Sequence, residues 1–126
     1  MISFVLVALG GALGAMARFG TTSASARLFG HGFPIGTMVV NVVGSLVMGL
    51  IIGWLASRSA GDQSFRMFFV TGFLGSFTTF SAFSLDFATL YERGALSLAM
   101  GYAVTSVLAS IAAVFVGLAL SRSLLG

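Results

Sequence analysis

The sequence has 126 residues, of which 58% are hydrophobic and only 7% are charged. A soluble domain carries about 25% charged residues, so this chain lacks the polar surface to face water, and one integral membrane domain over 1–126 is expected. The net charge of +3 comes from scattered arginines without a basic cluster, which argues against nucleic acid as a partner, and the lack of cysteine excludes disulfides and thiolate metal sites.

Four charge-poor segments fall at about 2–20, 35–57, 66–90 and 95–120. Each is close to, or longer than, the roughly 20 residues a bilayer-crossing helix needs, so an all-α protein with four transmembrane helices is expected. The first, ISFVLVALGGALGAMARFG, lacks the positively charged leader of a secretory signal and reads as a retained span. Gly10, Gly11 and Gly14 give it a small-residue face suited to close helix packing. Arg18 stands at its end, with two readings open: a side chain reaching for lipid headgroups, or a vestibule cation that concentrates anions. The stretch SARLFGHGFP at 25–34 separates spans one and two; its His31, the single histidine, reads as a loop residue rather than a ligand.

Pro34 precedes span two, where its missing N–H matters least. Inside that span, Asn41 cannot face hydrocarbon without a partner. It serves either as an interhelical hydrogen-bonding group or as a donor to a permeating anion. Thr37 and Gly44 lie about one turn to either side and share its face. After the connection SRSAGDQ at 57–63, span three contains TGFLGSFTTFSAFS at 71–84. Gly72 and Gly75, followed by Ser76, Thr78, Thr79, Ser81 and Ser84, predict a break near the middle of this helix. A break frees backbone carbonyls, which are tolerated at membrane depth only where protein or an ion satisfies them. Phe77, Phe80, Phe83 and Phe87 recur at steps of three or four, placing aromatic edges along one face. Ring edges are weakly positive, and beside hydroxyl donors they form a lane that strips and passes a small anion without binding it tightly. The bland reading of the same stripe is core packing. Asp86 lies deep enough in span three to need a partner that the sequence does not identify, and Glu92 follows it. YERG at 91–94 reads as a tight helical hairpin into span four.

Four spans put Arg58, Arg66 and Arg122 on one side of the membrane and Arg18, Arg27 and Arg93 on the other. The tie leaves almost no positive-inside bias, with two readings open: an ordinary protein with a weak orienting signal, or insertion in both orientations, which would permit an antiparallel homodimer.

The motifs GGALGAMAR at 10–18, PIGTMVVN with Gly44 at 34–44, and above all TGFLGSFTTFSAFS at 71–84 resemble those of the small fluoride channels called Fluc or CrcB, in order and spacing through all four spans. The resemblance implies an antiparallel dual-topology homodimer in the inner (plasma) membrane, with two fluoride pores and a structural sodium ion at the dimer interface. Carried over by position, Phe80 and Phe83 resemble the ring pair that meets fluoride, and Asn41 resembles the pore amide. Thr79, Ser81 and Ser84 fall on the hydroxyl lane, and Arg18 matches the arginine at the end of span one. Gly75 and Thr78 resemble the positions whose carbonyls hold sodium. Thr37, Tyr102 and Ser106 are looser pore candidates. Ser76 stands where the family usually has a second glycine, and Ala82 where it often has threonine.

The resemblance thus implies a passive channel that exports cytoplasmic fluoride and lowers its toxicity. A small proton-coupled multidrug exporter is the alternative, but the first span has no acid to carry a proton. A non-transporting assembly subunit would require 72–84 to serve packing alone. The inventory argues against an enzyme, because no nucleophile–base pair or metal-ligand set can be assembled from one histidine and three acids.

Overall fold

The computed structural model describes residues 1–57 and 63–124. All regular structure in them is helical: α1 (Ile2–Phe29), α2 (Ile35–Ser57), α3 (Gln63–Phe65 continuing through Arg66–Leu74 into Gly75–Phe77), α4 (Phe80–Glu92) and α5 (Leu96–Leu124). Helices α1, α2 and α5, and α3 with α4 taken together, are long and apolar enough to cross a membrane. The protein is therefore multi-pass, as its composition implies.

The first span runs to Phe29 rather than ending near residue 20. Its polar second half does not stop the helix because the hydroxyls bond back to it. Thr21 Oγ1 donates to the Ala17 carbonyl at 2.9 Å, and Thr22 Oγ1 to that of Arg18 at 3.0 Å. Termination waits for Gly30, whose φ of 77° lies in the left-handed region that glycine tolerates. Arg18 consequently sits well inside α1, not at its end. Arg58 lies outside the described residues.

The third span is broken as expected, but not at its glycines. Gly75 is helical, and the break falls in the hydroxyl run, at Thr78 (ψ 156°) and Thr79 (ψ 121°). Ahead of it, Arg66–Leu74 winds as a π-helix, a geometry that often accompanies functional sites. Its carbonyls press on α1, where a Cβ at Gly10 would strike the Phe68 oxygen and one at Gly14 the Phe73 oxygen. The small-residue face read from the sequence is thus the seat of α3.

Helix α5 packs along α2, with α4 folded back beside it. The α4–α5 turn closes on Gly94 (φ 78°), with the Ala95 amide reaching the Leu90 carbonyl at 3.0 Å. Leu90, Ala99 and Tyr102 form the buried cluster of this hairpin. Along the α2–α5 seam the backbones touch, and a Cβ at Gly117 would meet the Leu46 oxygen. Backbone cannot yield as a side chain does. Gly117→Ala is expected to cost about 1–3 kcal/mol of stability. Gly101→Ala on the same helix has nothing within 4 Å of the new Cβ and is expected to be silent. Thermal unfolding in detergent compares the two.

Candidate functional site

The break leaves orphaned backbone groups, and their partners define the site. Asn41, carried by α2, reaches the Thr79 peptide with both ends of its amide. Its Oδ1 accepts from the Thr79 N–H at 2.7 Å, and its Nδ2 donates to the Thr79 carbonyl at 3.0 Å. One N–H of Nδ2 remains for another acceptor. The α2 face must be bare here, since a Cβ at Gly44 would strike the Thr78 methyl group. Thr79 then starts α4: its Oγ1 accepts from the Ala82 amide at 3.1 Å, an N-cap that holds Phe80 at the head of the new helix.

This arrangement frees specific carbonyls. In a continuing helix the Thr79 N–H would close on Gly75, but it is held by Asn41 instead. The Thr78 carbonyl leaves the ladder because Thr78 is extended. Oxygen dipoles at Gly75 and Thr78 are the donor chemistry a hard monovalent cation takes. Among the described residues there is no cluster of three or more histidines and acids that could hold a metal. Neutral backbone oxygens thus offer the cation chemistry here, and the two positions read from sequence fit it. The Ser76 carbonyl is orphaned too, and it accepts from Arg18 Nε at 3.0 Å.

A cavity of about 310 Å³ lies where α2, the break, α4 and α5 converge. Asn41, Thr78, Thr79, Phe80, Phe83 and Ser106, all singled out by sequence, line it. Its remaining walls are Ser45, Val107, Ser110 and Ile111, and none of the lining residues is ionisable. Phe80 is 77% exposed at the rim, and its ring lies 5.6 Å from that of Phe83. Ser106 is buried, and its Oγ has no hydrogen-bond partner among the described residues. An unpartnered hydroxyl on a cavity wall is a donor waiting for an acceptor.

Sequence reasoning missed Ser45 and Ser110. Each stands one helical turn beyond a residue it did select, Asn41 and Ser106, and that spacing was the available signal.

Tyr102 stands behind the cavity, its ring 5.2 Å from Phe83. Its hydroxyl donates to Asp86 Oδ2 at 3.1 Å, which supplies the partner that the sequence left unnamed. Asp86 and Thr37 belong to a second, smaller cavity of about 180 Å³, together with His31 and Ser25. Ser81 and Ser84 line neither cavity. They are exposed on α4, where Ser84 Oγ donates to the Phe80 carbonyl at 3.0 Å and Ser81 lies 3.3 Å from Thr79 Oγ1.

Comparison with known proteins bears on the chain as a whole. Residues 5–118 match the family model described as CrcB-like protein, Camphor Resistance (CrcB). A protein of Nitrobacter hamburgensis named fluoride-specific ion channel FluC 2 is 52% identical over 123 residues, covering 98% of this chain and 99% of that one. Fluoride-specific ion channel FluC of Mesorhizobium japonicum is 53% identical over 124 residues, with 98% and 99% covered. Its namesake in Cereibacter sphaeroides is 54% identical over 123 residues, with 97% of each covered. A family match over nearly the whole chain, joined to relatives this similar from end to end, leads to one conclusion: the chain belongs to the CrcB family.

Proposed function

We propose that this protein is a fluoride-selective passive channel that lets cytoplasmic fluoride out through the inner membrane. The observation that carries the reading is the uncharged cavity, whose polar groups are an amide, hydroxyls and aromatic rings. Fixed cations would hold a small anion; neutral donors replace part of its water and release it. The free N–H of Asn41, the Ser106 hydroxyl and the edges of Phe80 and Phe83 are the groups assigned to fluoride. Thr79 serves as the hinge that aims them; Ser81 and Ser84 stand exposed on α4 outside this cavity. Thr37 and Tyr102 stand beyond this cavity, Thr37 on the second cavity and Tyr102 against Phe83.

The working unit in this reading is an antiparallel dimer of two copies inserted in opposite orientations. Three features support it: the exposed Phe80 at the cavity rim, the exposed Gly75 beside the break, and the near tie of arginines across the membrane. Sodium is assigned to the Gly75 and Thr78 carbonyls, doubled at the dimer axis, where its charge would hold the two breaks together. No fuel is needed. With the inside negative, each fluoride gains about 2.3 kcal/mol per 100 mV on leaving, a roughly 40-fold outward bias.

Expression in a bacterial host made fluoride-sensitive by loss of its own exporter tests the reading. Restored growth in fluoride is the expected result. Unchanged sensitivity, with the protein present in the membrane, would contradict it.

A further inference from the structure

We propose that Arg18 is a positioning residue for the ion path, acting through its Nε–H on the Ser76 carbonyl rather than through its charge. The proposal rests on the channel reading above. Helix α1 meets the end of α3 here, since a Cβ at Gly11 would come within 3.1 Å of Ser76 Oγ. In an unbroken helix the Phe80 N–H would close on the Ser76 carbonyl. Arg18 Nε occupies that acceptor at 3.0 Å from a half-buried position. Asn41 holds the Thr79 peptide from the opposite side. The extended residue Thr78 therefore lies between two ties, one from α1 and one from α2. With the first tie gone, the Ser76 carbonyl is free to recapture the Phe80 amide. The helix then extends into the break and draws Phe80 and Thr78 away from the cavity they line.

That Nε is the donor gives the proposal its test. Glutamine carries an N–H donor at the same distance along the side chain as Nε, without charge. Lysine has a methylene there and keeps the charge. Methionine has neither donor nor charge. Fluoride efflux from vesicles containing purified Arg18→Gln, Arg18→Lys or Arg18→Met is measured over a range of fluoride concentrations, with dimer assembly followed by size-exclusion chromatography. Arg18→Gln is expected to keep its maximum flux within about threefold of wild type, and Arg18→Lys and Arg18→Met to lose about tenfold or more even at saturating fluoride.

A wild-type maximum in Arg18→Lys with a loss in Arg18→Gln would overturn the proposal in favour of a vestibule charge, most plainly if high fluoride restores the flux. Equal loss in all three variants, equal retention in all three, or failure of Arg18→Gln to assemble where Arg18→Lys assembles would overturn it as well. Wild-type vesicles that pass no fluoride would remove the channel reading itself, and the proposal with it.

Discussion

Replacing Asn41 by aspartate is expected to abolish fluoride flux while the dimer still assembles. Aspartate keeps an oxygen for the Thr79 N–H but has no N–H for the Thr79 carbonyl, so one half of the amide clamp is lost. It also puts a negative charge on the cavity wall. A charge and an anion about 4 Å apart repel by about 4 kcal/mol at an effective dielectric of about 20, roughly a thousandfold in occupancy. Initial efflux rates from vesicles measure the effect. A rate within about threefold of wild type would remove Asn41 from the path.

Phe80→Ile is the second large effect, and the cleaner of the two. The side chain is 77% exposed within the chain, so isoleucine removes little internal packing, and the α4 N-cap on Thr79 does not involve the ring. What the substitution removes is the aromatic edge. Isoleucine has bulk but no quadrupole, and loss of an edge interaction worth about 1.5 kcal/mol lowers flux about tenfold. Phe83→Ile would give a less specific answer, because that ring also packs on Tyr102. Normal flux in an assembled Phe80→Ile protein would return the aromatic stripe to a packing role.

Much of the fold was legible because hydrophobicity in lipid is a local signal. The start of α2 after Pro34 and the α4–α5 turn fell where the composition changes. The end of α1 did not, because Thr21 and Thr22 satisfy their own hydroxyls on the helix, and that bonding leaves no mark in a hydropathy count. The hydroxyl run announced a break, but its position at Thr78–Thr79 is set by Asn41, 38 residues away in sequence. The Tyr102–Asp86 bond is another meeting between helices, as is the hold of Arg18 on Ser76. No periodicity within one helix encodes such pairs. Ser45 and Ser110 did carry a signal, one turn beyond Asn41 and Ser106, but each is an ordinary helical serine until α2 and α5 close a cavity between them. Conversely, Ser81 and Ser84 looked like a continuous lane in one dimension, yet their helix turns them away from that cavity.

The most direct test of the channel reading is efflux from vesicles containing the purified protein, loaded with potassium fluoride or potassium chloride. Valinomycin carries the balancing potassium current. Rapid fluoride release with negligible chloride release is the predicted result. Equal release of both ions, or none from a demonstrably assembled dimer, would contradict a selective fluoride path through the cavity at Asn41, Phe80 and Phe83.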